Sequence, residues 1–572
     1  MPKEKKQRFY WKGKLVTEKV YKARLNQQEA GRNVRSIYGT KNSQRQLNLK
    51  KKEAVSSVSG YIDLKEEGCK IFDVETIAHG LICKRCKNVL SLLDTTDSIA
   101  SGLGTTYYVK CRKCEHINDV LTDKQHSAPE SQRMIFNCNT KAVIGTLNGG
   151  GGLTTLNKIL TTLGVSPLNC GTYKTHEKEV SRCIEKMVEG SCMNATKEER
   201  QLTIENSEKL KKLLPDHLQE NFLFPDLSTG YEEKDKISSE NIVRVGGSFD
   251  MGWPTKGSGR SYDSLSGTAG LIGYFSRKVI SQVVLNRKCR MCNVGHPKSD
   301  HDCKLNFVGS AKAMEPRAAE LLVGESNKIL STVKVQLGIF IGDCDSNAIL
   351  AARNAVNYEI VKHDDLNHTS KGVTSQLYKK IKSHKELNSK SIKYLGKCFN
   401  YCVTQNKGDK LAMATAIENI PYHCFNRHEN CGTKWCQYSK NPDSYKHAVI
   451  GEGFTDPELF NLLKTIFGGI AKKASGFSGG VSSNPNESFN ATVASKAPKS
   501  RLYGTSQSYN TRVGLAVLKK NEGEKFIVQL LENCQVSPIK NLAEFCNKVD
   551  KYSSRRYDKV RTTICKRRRL FL

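Results

Sequence analysis

The spacing of apolar and polar positions changes sharply near residue 241. From there, four apolar-rich stretches end abruptly in polar residues, as strands do: NIVRVGGSFDMGW, GTAGLIGYFS, RKVISQVVLNRK and STVKVQLGIFIGDCDSN. The first three follow one another closely and predict an antiparallel meander. The segment AILAARNAVNYE, which follows the fourth, predicts a helix that covers the sheet.

This order of elements, completed by one further strand, predicts an α/β fold with an RNase-H-like core. In such a sheet the first and fourth strands are neighbours, so their terminal acids, Asp250 and Asp343, would meet although 93 positions separate them. Glu487, at the start of a predicted helix, is the third acid. Two strand-end carboxylates and one from a helix can hold two divalent cations side by side, which suits in-line phosphoryl displacement. The alternative is unrelated acids in an α/β domain.

Residues 141–235 have mostly helical periodicity. A first helix, ended by Ser166 and Pro167, presents one apolar face made of Leu153, Leu156, Ile159, Leu160 and Leu163. TYKTHEKEVSRCIEKMVEG predicts a second helix. The pair fits a DNA-reading helix-turn-helix, and equally a helical bundle or dimerisation element. The polar run 194–212 predicts a separate, exposed helix, and STGYEEKDKISSE predicts a linker.

Cysteines and histidines cluster in three places with the spacing of zinc ligands. Two C-x-x-C pairs 24 residues apart predict a zinc ribbon through Cys83, Cys86, Cys111 and Cys114. A Cys₃His set would consist of Cys289, Cys292, His301 and Cys303, with His296 as the competing histidine. A His₂Cys₂ set would consist of His423, His428, Cys431 and Cys436, with Cys424 as the competitor. Four protein ligands leave no open position for a substrate, so all three sets are predicted to be structural.

The charge of the chain indicates a polyanionic partner. Lys and Arg number 90 against 57 Asp and Glu, a formal net charge of +33. Nucleic acid is therefore the expected ligand. The N-terminal tail and the end of the chain (566–569) are especially basic, so each is expected to contact DNA, carry a nuclear import signal, or be a solvated tail. We find no apolar run of membrane-spanning length and no secretory signal.

The segments together predict seven regions. They are a basic tail (1–59), a zinc-ribbon DNA-binding domain (60–140), a helical region with a linker (141–240), the first part of the core with the Cys₃His set (241–360), a helical insertion with the His₂Cys₂ set (361–480), the last part of the core with the third acid (481–530), and a basic C-terminal region (531–572).

Five ordered blocks across residues 240–525 resemble the eukaryotic cut-and-paste transposases of the Mutator-like and Kolobok-related groups. DMGWPTKG is similar to the family's Asp-x-x-Trp-x-x-Lys/Arg-Gly, and HDCKLNFVGSAKAME to its His-x-Cys-x-x-Asn-x-x-Gly-Ser-Ala-x-x-Met-Glu. GDCDSNA follows, then Asp365-x-x-His368, which matches a Cys/Asp-x-x-His signature. The last block is NESFNATVASKAPKSRLYGTSQSYNTRV. The second acid is Asp343 on strand-end geometry, with Asp345 as the alternative.

The resemblance implies a DDE transposase that cleaves DNA at transposon ends and joins the 3′-OH to target DNA. Asp250, Asp343 and Glu487 would hold two Mg²⁺ (or Mn²⁺) ions, and His368 would position the scissile strand or cap a helix. Double-stranded DNA, a homodimer or larger assembly, and a nuclear location are the further expectations. A transposase-derived DNA-binding protein without catalysis and a structure-specific nuclease are the rival classes. Residues expected at the DNA are Trp253, Lys256, Lys496, Lys499, Arg501 and Arg512, with a place in the hydrophobic core as the equal alternative for Trp253.

Overall fold

The computed structural model describes residues 9–11, 14–16, 18, 21–22, 26, 68–127, 133–227, 237–255, 263–343, 346–432, 436–447 and 449–562. Lys256 and Asp345 lie outside these residues, as do most of the basic N-terminal tail and the cluster at 566–569. Within the described part of the chain, no helix is long and apolar enough to cross a membrane.

The described residues separate into two compact units. The smaller contains 83–97 and 108–118 together with the hairpin of β1 (Phe9–Trp11) and β2 (Lys14–Val16). The larger contains 68–82, 98–107 and the described residues from 119 onward. The ribbon strands are β3 (Thr95–Ser101), β4 (Gly104–Lys110) and β5 (Ile117–Leu121), paired in that order. The larger unit continues with β6 (Gln125–Ser127), β7 (Met134–Phe136), α1 (Val74–Gly80), α2 (Asn137–Asn148), α3 (Leu153–Thr162), α4 (Cys170–Glu205) and α5 (Ser207–Lys211).

A five-stranded mixed sheet forms the centre of the larger unit. Its strands are β8 (Val243–Gly252), β9 (Ser266–Gly273), β10 (Val279–Asn286), β11 (Val335–Gly342) and β12 (Val361–Asp364), in the spatial order β10-β9-β8-β11-β12. β8, β9 and β10 form the predicted antiparallel meander, while β11 runs parallel to β8 and β12 parallel to β11. The expected adjacency of β8 and β11 is therefore confirmed. Residues 361–364, which sequence analysis assigned to the insertion, instead form the edge strand β12.

The sheet is buried on both faces, which explains why its strands are almost continuously apolar. On one face, Ile272, Val279 and Val284 pack against helices that come before the sheet in the chain (α2–α4) and helices that come after it, from Asn484 onward. The other packs Val245, Leu271, Leu337 and their neighbours under the helices that follow β10 and β11. After the short helix α6 (Arg290–Asn293), which has no buried residue, these covering helices are α7 (Met314–Val323), α8 (Lys328–Thr332) and α9 (Ser346–Asn354).

Helix α4 corrects two expectations from the sequence. The predicted second helix and the polar run as far as Glu205 form one continuous helix of 36 residues, and only residues 207–211 form a separate helix, α5. The polar half is exposed on one face only: Glu198 and Gln201 are exposed, whereas Glu199 is fully buried and accepts the amide N–H groups of Phe275 (3.0 Å) and Ser276 (2.8 Å) at the β9–β10 turn. Helix α3 also buries less than its pattern predicts, since Ile159 and Leu163 are 54% and 61% exposed.

A helical region with its own core lies between β12 and the last acid. Its helices are α10 (Leu366–Tyr378), α11 (Ser389–Gln405), α12 (Lys410–Cys424) and α13 (Pro457–Ala471). Phe399, Ile417, Leu463 and Phe467 are fully buried in that core. The chain then returns to the sheet through α14 (Asn484–Lys496), α15 (Gln507–Glu522), α16 (Phe526–Asn533) and α17 (Leu542–Arg561).

Candidate active site and zinc-ligand sets

Asp250 and Asp343 lie at the same edge of the sheet. Ser248 of β8 is opposite Ile341 of β11, and each acid follows its strand's paired residue by two positions. Asp250 Oδ1 accepts the Met251 N–H at 2.8 Å, and its Oδ2 accepts the side-chain amide of Asn490 at 2.8 Å. Asp343 Oδ2 lies 3.2 Å from His368 Nδ1. Parallel pairing of β8 and β11 is thus what brings these two distant acids together.

Helix α14 carries Glu487 in its first turn and is anchored to the sheet by the residues on either side of it. Asn486 donates its side-chain amide to the Gly270 carbonyl at 2.8 Å, and Phe489 is fully buried against Gly270. Glu487 itself is exposed. Asn490, one turn further on, is the residue that bonds Asp250. The helix therefore presents Glu487 and Asn490 toward Asp250 and Asp343. We call this end of the sheet, where β8 and β11 finish, the acidic edge.

The negative charges of the acids repel one another, and this repulsion contributes to the raised pKa values of Asp250 and Asp343. Burial raises the pKa of Asp250 to about 7, helped by the charge of Asp343 and opposed by the Met251 amide. Burial also raises the pKa of Asp343, where His368 and Lys371 oppose the charges of Asp365 and Glu487. Among the described residues, the three Cys/His sets have all their ligand atoms within 4.8 Å of one another, whereas Asp250, Asp343 and Glu487 do not form such a group. Oxygen donors with unfavourable mutual charge suit hard divalent cations.

Asp365 has a different role from the other acids of this edge. It is fully buried and caps α10 by accepting the His368 N–H at 2.9 Å. Its second oxygen accepts the Ser482 hydroxyl at 3.1 Å and the Ser483 N–H. Burial raises the pKa of Asp365, but these hydrogen bonds outweigh it and hold the pKa below its usual value. Asp365 positions His368 and the entry to α14.

Two of the residues expected at DNA phosphates are buried in the fold, which corrects the sequence analysis. Arg512 is fully buried; it donates to the carbonyl of Lys496 at 2.6 Å and to that of Gly151, and lies 3.8 Å from the Tyr503 ring centre. Lys496 Nζ donates to the Asn148 carbonyl at 2.7 Å. Burial lowers the pKa of Lys496 to about 8. Both cations satisfy main-chain carbonyls rather than facing solvent.

The other residues of that group remain accessible in part. Lys499 and Arg501 are exposed, and Arg501 donates to the Thr155 hydroxyl at 2.8 Å. Trp253 is half-buried and packs against the core beneath β8 and β9. Only Lys499 and Arg501 therefore present charge to solvent among the described members of the group.

The ribbon cysteines converge within the smaller unit. Cys83 and Cys114 sulfurs lie 3.5 Å apart, as do those of Cys86 and Cys111. Each knuckle closes through a residue with positive φ, Lys87 at 58° and Glu115 at 56°. The Cys86 amide is the largest cause that lowers the pKa of Cys83, to about 6. Amides that favour thiolate suit a cation bound between the knuckles.

The second set joins Cys289, Cys292, His301 and Cys303. His301 Nε2 lies 3.2 Å from the Cys289 sulfur, and the Cys292 and Cys303 sulfurs are 3.5 Å apart. Burial raises the pKa of Cys289, but the Cys292 and Lys304 amides outweigh it and bring the pKa to about 6. His296, the competing histidine, is exposed and lies outside the set.

The third set joins His423, His428, Cys431 and Cys436. The Nδ1 atoms of the two histidines are 3.2 Å apart, and the Cys436 sulfur lies 3.5 Å from His428 Nδ1. Burial lowers the pKa of His423 to about 3 and lowers that of His428, so both rings are neutral and can act as ligands. Cys424 is buried outside the set. All three sets are compatible with zinc.

Two residues of the acidic edge were missed in the sequence. Asn490 bonds Asp250, and the charge of Glu315, in the first turn of α7, helps to raise the pKa of Asp250. Asn490 lies one helical turn after Glu487, a spacing that could have indicated it. Glu315 ends the block HDCKLNFVGSAKAME, so the resemblance contained it, but neither strand periodicity nor spacing assigned it to the acidic site.

The fold and site define an α/β protein with an acidic strand-end site and three sets of candidate zinc ligands. The family model of the Mutator-like transposases matches residues 68–219 and 229–436, well over half of the 572 positions. The chain belongs to the Mutator-like transposase family, which indicates a transposase that binds DNA. The match includes Asp250, Asp343 and all three Cys/His sets but ends before Glu487. A search of curated proteins finds no significant match.

Proposed function

We propose that this protein is a DDE transposase with an RNase-H-like core, which cleaves DNA at transposon ends and transfers the 3′-OH to target DNA. The observation that carries the proposal is the convergence of Asp250 and Asp343 on neighbouring parallel strands, with Glu487 delivered by a helix anchored to the same sheet. The sheet order and directions support the RNase-H-like assignment. The resemblance of the sequence blocks to those of the eukaryotic, Kolobok-related transposases supports membership of that group.

Asp250, Asp343 and Glu487 would hold the divalent cations. When bound, two Mg²⁺ (or Mn²⁺) ions supply charge stabilisation for the attacking and leaving oxygens of an in-line displacement. The chain's own part is positioning. Asn490 fixes the Asp250 carboxylate, and His368, held by the Asp365 cap, orients Asp343. The mutual repulsion of the acids makes them receptive to cations.

The rest of the molecule would hold the DNA. The ribbon would read terminal repeats, and Lys499 and Arg501, exposed after α14, would contact phosphates near the site. The α3–α4 segment would serve as a DNA-reading or dimerisation element. The net charge of +33 supports a nuclear, DNA-bound protein. Since cut-and-paste chemistry requires two transposon ends together, we propose a dimer or larger assembly.

A strand-transfer assay tests the proposal against its two rivals. Purified full-length protein is incubated with labelled duplexes bearing the element's ends, target DNA and Mg²⁺. Joined products support a transposase. Cleaved ends without joining would instead indicate a structure-specific nuclease, and binding without either product would indicate a transposase-derived DNA-binding protein.

A further inference from the structure

A cavity of about 560 Å³ lies in the helical region beside the His₂Cys₂ set. Its lining residues, between positions 394 and 446, include none of the three acids. Its size is within the range of small-ligand sites. Three tyrosines, Tyr394, Tyr401 and Tyr445, and several lysines line it. Among its described lining residues none is acidic. An aromatic cavity with cationic surroundings has the chemistry that binds a planar ring joined to phosphate.

Helix α11 forms one wall of this tyrosine cavity. Tyr394, Lys397, Cys398 and Tyr401 follow one another at helical spacing and so share one face of the helix. Tyr401 is 43% exposed, which leaves part of its ring open to a ligand. Lys397 is one turn from Tyr401 and exposed. The wall therefore offers a stacking surface with a cation next to it.

The segment 436–446 forms the opposite wall and is held by the zinc-ligand set. The Tyr445 hydroxyl lies 3.4 Å from His423 Nε2 and 3.1 Å from His447 Nδ1. The Tyr394 hydroxyl is 3.2 Å from the same His447 nitrogen. His447 is buried and its Nε2 bonds Asn426 at 2.9 Å. Two tyrosines are thus fixed by one histidine, so their rings are already oriented before any ligand arrives.

Lysines supply the charge at the rim. Lys446 pairs with Glu452 at 2.7 Å, and both side chains are largely exposed. Lys397 and Lys440 are exposed, and neither pairs with a carboxylate in the described part of the chain. The uncompensated charge of the tyrosine cavity is therefore positive, which favours an anionic ligand.

We propose that the tyrosine cavity binds an unpaired nucleotide of the DNA substrate, with the base stacked on Tyr401 and the flanking phosphates near Lys397 and Lys440. This inference rests on the proposed function only in taking DNA as the substrate. Stacking tolerates any base and contributes enough to detect in affinity. An acidic peptide would use the lysines but would not require the ring of Tyr401.

The test uses the full-length Asp250→Asn protein, so that DNA is not cut. Two short duplexes of the same sequence are compared, one fully paired and one with a single unpaired 2-aminopurine. We expect the unpaired duplex to bind about tenfold more tightly, a difference typical of one stacked base. The bound 2-aminopurine should also be protected from quenching by acrylamide, since it would lie inside the cavity.

Three variants on that background separate stacking from structure. Tyr401→Ala should abolish both the preference and the protection, whereas Tyr401→Phe should keep both because the ring remains. Tyr378→Ala is the matched control, since Tyr378 is 41% exposed in the same helical region but does not line the cavity. Zinc content should be the same in all variants, which confirms that the His₂Cys₂ set is intact.

The outcomes distinguish the two proposals. If every variant binds both duplexes equally and 2-aminopurine stays open to acrylamide, the tyrosine cavity is not a nucleotide site, and strand transfer by the unmodified protein can still support the proposed function. If the protein binds neither duplex, DNA is not the ligand and both proposals are wrong.

Discussion

The acidic edge and the three Cys/His sets differ in two respects: how far apart their residues are along the chain, and how far apart their ligand atoms are in the folded protein. Each Cys/His set comes from a short stretch of chain, and its ligand atoms lie within 4.8 Å of one another. The acids come from three distant segments, and Asp343 keeps 34% of its side chain exposed. Amides lower the pKa of Cys83 and Cys289, whereas burial and neighbouring charge raise that of Asp250.

This difference is the one expected if the Cys/His sets hold structural zinc and the acids hold catalytic cations, as proposed above. A closed set of four soft ligands organises the chain around it and leaves no room for a substrate. An open group of carboxylates, held apart and partly solvated, has room for cations together with the oxygens of a substrate. Metal at the first kind should govern stability, and metal at the second should govern chemistry.

Removal of zinc should have the largest effect, since bound structural zinc contributes on the order of 10 kcal/mol to folding per site. The full-length protein should contain about three zinc ions, one for each four-ligand set. Cys292→Ser and Cys436→Ser should each lose about one ion and lower the melting temperature steeply. Metal analysis with thermal denaturation measures both. His296→Ala is the control and should keep all three ions; a wild-type content near one would refute the two inner sets.

Loss of one acid should abolish cleavage while leaving the fold and zinc content unchanged. We expect Asp250→Asn, Asp343→Asn and Glu487→Gln each to reduce cleavage by at least about 10³-fold, because each removes a cation ligand required in the transition state. DNA affinity should change little. Cleavage of labelled ends measures the effect. Asp364→Asn is the matched control, since Asp364 lies in β12 and pairs with Lys362 at 3.1 Å.

The same series tests the choice of the second acid. Normal cleavage by Asp343→Asn together with an inactive Asp345→Asn would show that Asp345 is the ligand. Normal cleavage by all four variants would contradict the enzyme itself.

Substitutions of Arg512 and Lys499 should affect different properties: loss of Arg512 should lower stability, and loss of Lys499 should weaken DNA binding. Arg512→Ala should destabilise the protein by about 3 kcal/mol, because the carbonyls of Lys496 and Gly151 lose a buried charged donor. Lys499→Gln should leave stability unchanged and reduce the salt dependence of DNA binding by about one phosphate contact. Urea denaturation and affinity against salt measure these. An unchanged stability of Arg512→Ala would contradict its structural role.

The last prediction concerns the pH dependence of metal-free stability. The folded protein holds the Asp250 proton more tightly than the unfolded chain does, because its pKa is about 7 rather than 3.8. The free energy of unfolding should therefore fall as pH rises from about 4 to about 7, by at most about 4 kcal/mol from this group. Asp250→Asn should flatten the profile. Mg²⁺ should stabilise wild type more at pH 8 than at pH 5; equal stabilisation at both would contradict the acidic cation site.

Local patterns predicted the parts of the molecule that depend on local chemistry. The meander, β11 and the convergence of Asp250 with Asp343 followed from strand periodicity, and the three Cys/His sets followed from ligand spacing. The burial of Glu199 in α4 could not be predicted, because its carboxylate is satisfied by amides of the β9–β10 turn far along the chain. The prediction that Arg512 contacts DNA phosphates was wrong for a similar reason: its hydrogen-bond partners include Gly151, which is 361 positions away.

The bonds from Asp365 to Ser482 and Ser483 have a consequence for the length of the chain between them. They join positions 117 and 118 apart, so the helical region leaves the sheet and returns to it at one point. Loop-closure entropy grows only slowly with length, by about 0.6 kcal/mol per doubling. The core is therefore nearly indifferent to how many residues intervene, and domains of very different size could be exchanged at this junction without moving Glu487 from Asp343.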